Sequence, residues 1–446
     1  MKFKKISIVG LGFVGLPLAC ILSNKFKKNT KIIGIDKKIN DKNLNSKIFL
    51  NTFKKKLVDK KMISTIKNIE NNKNLYLSGD IKNIKNSDII VVSINFDFKS
   101  KTIKKSFSNL KKLFSNIAKN IYKDTLLILE TTIPPGTSDK IILPLIDKVI
   151  KNRNSRIRVH YAYSYERAMP GDGYFDSIVN MNRCYAGKDI KSSKLCYQFF
   201  SSFINSKKYP LFKLDSIKDC ETSKILENSY RAINIAFIDE WTKYANTIGV
   251  NLNKVIKGIK QRKTHNNIMR PGLGVGGYCL TKDPSFAKIS SLHLFNKNIN
   301  FPITSKSTII NKKMPSTTVN FLFDNLPRKK LKILILGASY RENVGDTRHS
   351  ASIELLRILQ NKGHKTSIHD PIVTNLAAGN LIKRKIDNFS KYDVIIFCVA
   401  HKQYKKINFN KISRKPHYFD VNMVLDERIK REMIKKKYKL KVLGGE

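Results

Sequence analysis

The chain has 446 residues, too many for one small domain, and its 41% hydrophobic and 27% charged residues argue against wholesale disorder. Its 85 Lys and Arg against 34 Asp and Glu give a formal net charge of +51, a balance typical of nucleic-acid binders. The lysines, however, are interleaved with Ile and Asn along the whole chain, so we interpret them as solvated surface. A basic, non-catalytic nucleic-acid-binding protein is kept as the alternative.

Six cysteines lie far apart, without a Cys-x-x-Cys pair or the spacing of a zinc site. This usage indicates free thiols in a reducing compartment and no metal site. The apolar run over residues 6–22 follows several lysines and imitates a signal peptide, but it is interrupted by glycines and too short to span a bilayer. We therefore expect a cytoplasmic protein that is not embedded in a membrane.

A glycine turn near the N terminus predicts a dinucleotide-binding unit. A β-branched run over residues 4–9 leads into G-x-G-x-x-G at 10–15, a helical stretch follows to about Asn24, and a second strand over 31–35 ends at an acid. The glycines permit a tight turn and close approach of a pyrophosphate, while the acid accepts hydrogen bonds from a ribose diol and repels a 2′-phosphate. The pattern favours NAD, bound by Gly10, Gly12, Phe13, Val14, Gly15 and Asp36.

Further strands are predicted over residues 88–94 and 125–129. The second strand leads into the polar segment 130–137, which contains Thr132. Polar residues at the carboxyl end of a strand lie where doubly wound sheets bind their ligands. The alternative is an ordinary Pro-Gly turn with a capping threonine.

One long helix is predicted over residues 216–248, because apolar residues recur there at helical spacing without Gly or Pro. Lys224, Asn228 and Arg231 follow each other at i, i+4 and i+7, which places them on one helical face. Such a stripe is either functional or simply solvated.

A Gly-rich stretch over residues 271–284 contains Cys279 and an Asp-Pro pair. The four glycines shortly before the cysteine suggest that a ligand lies against the backbone. Asp283 and Pro284 predict the start of a helix, whose N-terminus together with a nearby lysine would stabilise a thiolate. We favour a nucleophilic role for Cys279 over a buried structural one.

The region from about residue 314 to 446 reads as a second α/β domain, with strands over 332–336, 366–369 and 394–399 and no second G-x-G-x-x-G. We predict an α/β fold with two Rossmann-like doubly wound domains joined by a long central helix. The predicted divisions are an NAD-binding domain over 1–200, a central helical domain with the cysteine loop over 201–313, and a second α/β domain over 314–446.

Taken together, these segments resemble the UDP-glucose/GDP-mannose dehydrogenase family of nucleotide-sugar 6-dehydrogenases, nearly from end to end. The most specific piece is G-V-G-G-Y-C at 274–279 followed by K-D-P at 282–284. The other matching segments are 10–15, 130–137, 164–167 with 170–171, 224–228, 337–341 and 345–348.

The resemblance implies oxidation of the C6 hydroxyl of a UDP-sugar to a carboxylate in two hydride transfers, using two NAD. Cys279 would attack the intermediate aldehyde to give a thiohemiacetal, and the second oxidation would leave a thioester that water hydrolyses. Lys224 would stabilise the oxyanion with Asn228 as second donor, and Asp283 would partner a proton or the hydrolytic water. Thr132 and Glu166 would position that water. Which of Lys224, Asp283 and Glu166 is the base in each step stays open.

The resemblance also assigns dimerisation to the domain over 201–313, UDP-sugar binding to the domain over 314–446, and binding roles to single residues. Residues implied in UDP-sugar binding are Glu166, Arg167, Lys224, Asn228, Arg231, Arg262, Gly274, Gly276 and Arg341, with Arg341 on the diphosphate and Arg262 reaching a neighbouring subunit's ligand. Thr132, Lys282 and Arg348 would approach NAD. The long helix is expected to form a homodimer or higher homo-oligomer; the alternative is a linker within one chain.

Two departures from the family pattern affect these assignments. Residues 93–97 replace the usual Thr-Pro pair, which puts a local NAD contact in doubt, and Tyr165 replaces the usual proline. Glu130, Glu166 with Arg167, and Asn228 with Arg231 resemble the branch acting on UDP-N-acetylhexosamines, for polysaccharide precursors. The alternatives are a UDP-glucose 6-dehydrogenase giving UDP-glucuronate and a two-electron hydroxyacid-type oxidoreductase that needs no thiol.

Overall fold

The computed structural model describes residues 3–26, 29–39, 46–55, 57–96, 103–324, 326–327, 329–373, 382, 386, 388–409 and 412–445. The chain forms two compact units. The N-terminal unit comprises Met1–Glu227 and Ser285–Asn300, and the C-terminal unit comprises Asn228–Pro284 and Phe301–Glu446.

The N-terminal unit is built on a sheet with the order β3-β2-β1-β4-β5-β6-β7-β8. The strands from β3 to β6 are parallel, β7 runs antiparallel to β6, and β8 is parallel to β7. The strand order reverses between β1 and β4, which is where doubly wound sheets bind ligands. The strands are β1 Lys5–Val9, β2 Lys31–Ile35, β3 Leu75–Ser78, β4 Ile89–Val92, β5 Thr125–Leu129, β6 Val159–Ser164, β7 Arg183–Gly187 and β8 Leu211–Lys213.

Helices cover both faces of this sheet, because alternate residues of each central strand enter different hydrophobic clusters. Ile89 and Val91 belong to one cluster, and Ile90 and Val92 belong to the other. Asp59 caps one of the covering helices by accepting a hydrogen bond from the backbone N–H of Met62. The helices are α1 Gly15–Phe26, α2 Ser46–Lys54, α3 Lys60–Asn72, α4 Ile103–Lys119, α5 Leu143–Asn152, α6 Tyr174–Val179, α7 Ile190–Ser201 and α10 Phe286–His293.

The long helix α8, Ile217–Ile248, leaves the N-terminal unit after Glu227 and continues in the C-terminal unit. Its 32 residues contain neither Gly nor Pro, which would interrupt the ladder of i to i−4 hydrogen bonds. The predicted central helix is therefore confirmed to within one residue at its start.

The C-terminal unit is built on a second parallel sheet with the order β10-β9-β11-β12-β13. Residues of β9 alternate between two clusters, as in the first sheet: Ile333 and Ile335 lie in one, Leu334 and Leu336 in the other. The strands are β9 Lys332–Leu336, β10 Lys365–His369, β11 Val394–Phe397, β12 His417–Asp420 and β13 Lys439–Val442. The helices are α9 Leu252–Ile259, α11 Pro302–Phe323, α12 Ala351–Asn361 and α13 Glu427–Lys435.

The predicted α/β class, with two doubly wound sheets and a long central helix, is confirmed. The predicted division into three domains stays a prediction. Over the described ranges, no helix combines the length and the apolar character that crossing a bilayer requires.

Candidate active site

The glycine turn after β1 has the geometry that its spacing predicts. Gly10 has φ +94°, a conformation that favours glycine, and its N–H donates to the carbonyl of Ile35 at 2.8 Å. A Cβ at Gly15 would lie 1.9 Å from the carbonyl oxygen of Gly10, so α1 packs this closely only with glycine there. A Cβ at Gly12 would meet no atom within 4 Å, which leaves the turn open to a ligand on that side.

The acid at the end of β2 is held beside this turn. Asp36 accepts a hydrogen bond from the N–H of Leu11 at 2.9 Å with Oδ2 and from the N–H of Lys38 at 3.0 Å with Oδ1. The side chain is only half-buried, so its carboxylate can still accept from a ligand hydroxyl. Phe13 and Val14 are also half-buried. A half-exposed acid, an open glycine and an N-terminal helix turn on one sheet edge together fit NAD.

Polar residues follow β5, but Glu130 faces inward. Its carboxylate pairs with Arg183 of β7, two strands away in the sheet, and both side chains are buried. Burial raises the pKa of Glu130, and the Arg183 guanidinium offsets part of that rise. Thr131 uses its hydroxyl to accept from the N–H of Ile94 at 3.0 Å and to donate to the carbonyl of Ile94 at 2.9 Å. Thr132 is half-buried.

The segment 93–97, which departs from the family pattern, is therefore tied to the end of β5 through Thr131. Asp97 lies outside the described residues.

Glu221 on α8 secures the same loop, and sequence reasoning missed it. Its buried carboxylate accepts from the N–H of Gly136 at 2.5 Å and from the N–H of Ser138 at 3.1 Å. Gly136 has φ +85°, so the loop turns sharply at the point that Glu221 holds. Burial raises the pKa of Glu221 to about 8. The sequence offered one signal for Glu221, which is an acid on the predicted helix about one turn before Lys224.

Lys224 lies beside the segment that follows β6. Its ammonium group donates to the carbonyl of Glu166 at 3.2 Å and lies 5.1 Å from the centre of the Tyr165 ring. The Glu166 carboxylate accepts from the N–H of Ala168. Lys224, Glu166 and Tyr165 thus come together, and the tyrosine that replaces the usual proline forms a buried floor for the lysine.

Arg167 is engaged with the protein itself. Its Nη2 donates to Glu227 of α8 at 2.6 Å and its Nη1 to the carbonyl of Asn182 at 2.8 Å. Burial raises the pKa of Glu227, but the hydrogen bond from Arg167 and the charges of Lys224 and Arg167 outweigh burial and hold this pKa below its usual value. A substrate contact by Arg167 stays a prediction.

In the C-terminal unit, Cys279 differs from the other five cysteines because its side chain is exposed. Cys184 is partly buried, and burial raises the pKa of the four remaining thiols, which belong to Cys20, Cys196, Cys220 and Cys398. A thiol that must react with a substrate needs access, and Cys279 has it.

A buried carboxylate lies close to Cys279 along the chain. Asp283 is fully buried, accepts from Asn228 Nδ2 at 2.7 Å and pairs with Lys282 Nζ at 2.7 Å. Its N–H donates to the carbonyl of Cys279 at 2.9 Å. The predicted helix start at Asp283 is a 3₁₀ turn over Asp283–Ser285, and α10 begins later, at Phe286.

Two cations flank the ring of Tyr278, next to the cysteine. Lys282 Nζ lies 4.4 Å and the Arg348 guanidinium 5.4 Å from the ring centre. Arg348 also pairs with Asp346 at 2.6 Å. Burial lowers the pKa of Arg348, but Asp346, Tyr340 and Cys279 together raise it above its usual value. The residue before Cys279 is therefore flanked by two cations, each paired with an aspartate.

The glycines before Cys279 are packed against protein atoms. A Cβ at Gly274, where φ is +154°, would lie 3.0 Å from Cβ of Ala351, and a Cβ at Gly276 would lie 2.8 Å from Cβ of Tyr340. The sequence suggested a ligand against this backbone. On the side where a Cβ would point, these glycines face residues that follow β9 and not a ligand.

Comparison with known proteins decides the family. Sequence models of the UDP-glucose/GDP-mannose dehydrogenase family match the chain at residues 4–204 (NAD binding domain), 218–312 (central domain) and 334–427 (UDP binding domain). A UDP-N-acetyl-D-mannosamine dehydrogenase of Methanococcus maripaludis is 30% identical over 371 residues, covering 82% of this chain and 80% of the relative. The chain belongs to this family.

Other relatives agree along the whole length. The UDP-N-acetyl-D-mannosamine dehydrogenase of Methanococcus vannielii is 29% identical and covers 100% of this chain and 98% of its own. The UDP-D-ManNAc dehydrogenase structure from Pyrococcus horikoshii has the same fold, with a TM-score of 0.78 at 23% identity and 99% of each chain covered. As a member of the family, the chain is an NAD-dependent nucleotide-sugar dehydrogenase.

The remaining family-derived residues differ in how they are held. Lys224 and Asn228 are buried on α8, whereas Arg231 is exposed, so the three do not share one environment. Arg262 is also exposed. Arg341 is partly buried and lies 3.2 Å from Glu342. The ligand contacts assigned to these arginines stay predictions.

Proposed function

We propose that this dehydrogenase oxidises C6 of a UDP-N-acetylhexosamine to the carboxylate through a covalent intermediate on Cys279. The observation that carries the proposal is the exposed thiol of Cys279, next to a tyrosine ring that Lys282 and Arg348 flank and with the backbone N–H of buried Asp283 donating to the cysteine carbonyl. An accessible thiolate is both a strong nucleophile and a good leaving group.

The chain's own groups then act at the sulfur and at the developing oxyanion. NAD, when bound, supplies the acceptor for the two electrons of each oxidation. The Cys279 thiolate adds to the C6 aldehyde, the C=O bond becomes a C–O bond, and a donor must neutralise the oxygen. Asn228, one helical turn after Lys224, offers an amide, and Lys224 offers an ammonium group. The second oxidation removes a hydride from C6 and the proton from its hydroxyl, which leaves a thioester. Water then displaces the thiolate from this thioester, and Asp283 takes up the released proton.

The sugar preference rests on Glu130 and on the relatives. Glu130 stands where enzymes acting on UDP-glucose tend to carry a lysine, and here Arg183 compensates its charge. The named relatives from Methanococcus act on UDP-N-acetyl-D-mannosamine, and one from Salmonella typhi, 25% identical over 92% of each chain, is a UDP-N-acetyl-D-glucosamine 6-dehydrogenase. Turnover should therefore be faster with UDP-N-acetylhexosamines than with UDP-glucose. A preference for UDP-glucose would favour the alternative, a UDP-glucose 6-dehydrogenase.

The second half of α8 supports a homodimer. Its side chains at helical spacing form an exposed apolar stripe, with the Trp241 ring 5.7 Å from that of Tyr244. A stripe of this size on a water-facing helix is typical of an interface. Its members, each about half exposed, are Tyr230, Phe237, Trp241, Tyr244 and Ile248. Light scattering should give twice the chain mass, and Trp241→Lys should lower it; a monomer in both would contradict the dimer.

We place the enzyme in the cytoplasm, where free thiols stay reduced, and in the supply of uronic acids for polysaccharides. The covalent step is tested with Cys279→Ala and Cys279→Ser. Both should lose acid formation, while mass spectrometry of wild-type enzyme quenched in turnover should show an acyl adduct on Cys279. Full acid formation by Cys279→Ala would overturn the proposal. Cys398→Ala, at a buried thiol, is the control.

A further inference from the structure

The ring of Tyr340 lies against the glycine loop that carries Cys279. A Cβ built on Gly277, where φ is +80°, would lie 2.9 Å from Cε2 and 3.0 Å from Cδ2 of this ring. At Gly276 a Cβ would lie 2.8 Å from Cβ of the same residue. The two glycines therefore allow the aromatic side chain to touch the loop backbone directly, two residues before the cysteine.

The segment that presents Tyr340 is anchored at the switch point of the second sheet. The N–H of Tyr340 donates to the carbonyl of Asp346 at 2.9 Å. Just before it, the N–H of Ser339 donates to Asp370 at 3.0 Å, and the Ser339 hydroxyl lies 2.9 Å from Nε2 of His401. Nδ1 of His401 accepts from the N–H of Asn343 at 3.0 Å. Hydrogen bonds of buried residues before and after Tyr340 thus hold the backbone that carries its ring.

The cysteine loop is in turn fastened to the same segment. The N–H of Gly277 donates to the carbonyl of Arg348 at 2.9 Å, and the carbonyl of Gly277 accepts from the hydroxyl of Thr281 at 2.9 Å. Gly277 is thus held by a hydrogen bond to the carbonyl of Arg348 and by contact with the Tyr340 ring. Both contacts come from residues that follow β9.

We propose that Tyr340 is a positioning residue for Cys279: its ring holds Gly276 and Gly277 so that the thiol stays next to Tyr278, whose ring Lys282 and Arg348 flank. The proposal rests on the nucleophilic role of Cys279 stated above. The ring carbons make the contact, so the phenolic hydroxyl is not required. Replacing the ring by a smaller, flexible side chain leaves the loop backbone without its support.

The test compares Tyr340→Leu with Tyr340→Phe. Because a displacement of about 1 Å at a reacting group can cost about 100-fold in rate, Tyr340→Leu should lower kcat by about 10- to 100-fold. Tyr340→Phe, which keeps the ring, should retain the wild-type kcat. Phe389→Leu, the same kind of truncation in a buried cluster away from the loop, controls for lost packing.

A second readout does not depend on turnover. Alkylation of Cys279 by iodoacetamide should be about threefold or more slower in Tyr340→Leu and unchanged in Tyr340→Phe and Phe389→Leu, because the displaced thiolate no longer lies next to the ring that the two cations flank. Mass spectrometry of each cysteine keeps the test valid for a partly unfolded variant, since buried Cys196 and Cys398 react only in unfolded chains.

The outcomes separate the two proposals. If Tyr340→Leu keeps the wild-type kcat and the wild-type alkylation rate of Cys279, the positioning role is overturned. The same holds if Phe389→Leu shows equal losses. If Cys279→Ala makes acid at the full rate, the proposed chemistry fails, whereas the alkylation series still decides whether Tyr340 positions the thiol.

Discussion

The two sheets begin with the same backbone turn. After β1, Gly10 has φ +94° and its N–H donates to the carbonyl of Ile35 at the end of β2 over 2.8 Å. After β9, Gly337 has φ +105° and its N–H donates to the carbonyl of His369 at the end of β10, again over 2.8 Å. In both units an aspartate follows the second of these strands directly. These are Asp36 and Asp370.

The two acids are used differently. Asp36 accepts from two backbone amides and remains half-exposed. Asp370 is 3% exposed; its carboxylate accepts from the amides of Ala338 and Ser339, from two amides after β10, and from Nε2 of His401 at 3.1 Å. Asp36 can therefore still accept a hydrogen bond from a ligand, whereas all the contacts of Asp370 serve to hold a loop. The two turns have the same backbone geometry, so it is the exposure of the aspartate that distinguishes the cofactor site after β1 from the structural turn after β9.

Removing each acid in turn tests whether Asp370 and Asp36 contribute differently to stability. Asp370→Ala leaves buried amides and His401 without their acceptor, so it should lower the free energy of unfolding of the C-terminal unit by about 3 to 5 kcal/mol. Asp36→Ala removes exposed hydrogen bonds worth about 1 kcal/mol. Urea denaturation followed by circular dichroism and by fluorescence of Trp241 measures both. Equal losses would show that the two acids do the same work.

Cofactor affinity should show the opposite order. Asp36→Ala removes a charged acceptor for a ribose diol, and such hydrogen bonds contribute about 1.5 to 3 kcal/mol, so KM for NAD should rise about 10- to 100-fold. The preference for NAD over NADP should weaken as well, because the acid no longer repels a 2′-phosphate. Initial rates with both cofactors measure this. An unchanged KM for NAD would contradict a ligand role for Asp36.

The stability at acid pH should depend on the Asp370 carboxylate. Burial raises the pKa of Asp370, but hydrogen bonds from His401 and two backbone amides outweigh burial and lower it to about 2. A lowered folded-state pKa means stability that is present above the unfolded-state value near 4 and is lost between about pH 4 and pH 2, here about 2 kcal/mol. Asp370→Asn should flatten the stability profile in this window. A profile as steep as the wild type in Asp370→Asn would refute this assignment.

The smallest expected effect concerns Ser339. Ser339→Ala removes the hydroxyl that bonds His401 and donates to the carbonyl of Arg341, but it leaves the Asp370 contacts in place, so the unfolding free energy should fall by about 1 kcal/mol. Thermal unfolding measures it, with Ser413→Ala as control, because that partly buried hydroxyl accepts only from an exposed backbone N–H. A loss as large as that of Asp370→Ala would mean that the hydroxyl, not the carboxylate, anchors the loop.

Much of the fold was visible in local sequence. β2, β5 and β9 have the predicted bounds, because strands buried on both faces appear as nearly continuous hydrophobic runs. α8 was predictable because no Gly or Pro breaks its periodicity. The glycine turn was predictable because its spacing is a backbone requirement and depends on no distant partner.

The contacts that could not be predicted from the sequence join residues far apart in the chain. Glu221 meets Gly136 and Ser138 from more than 80 positions away, and Tyr340 meets Gly277 across a comparable separation. The pairing of Asp370 with His401 likewise joins the ends of β10 and β11. No local pattern encodes such contacts, since each partner alone looks like an ordinary loop or helix residue.

The most direct test of the account is the number of NADH molecules formed for each UDP-N-acetylhexosamine consumed in a single reaction. A covalent sugar on Cys279 that is oxidised a second time before release predicts two NADH and one carboxylate per sugar. One NADH per sugar, with an aldehyde or ketone as the product, would contradict it.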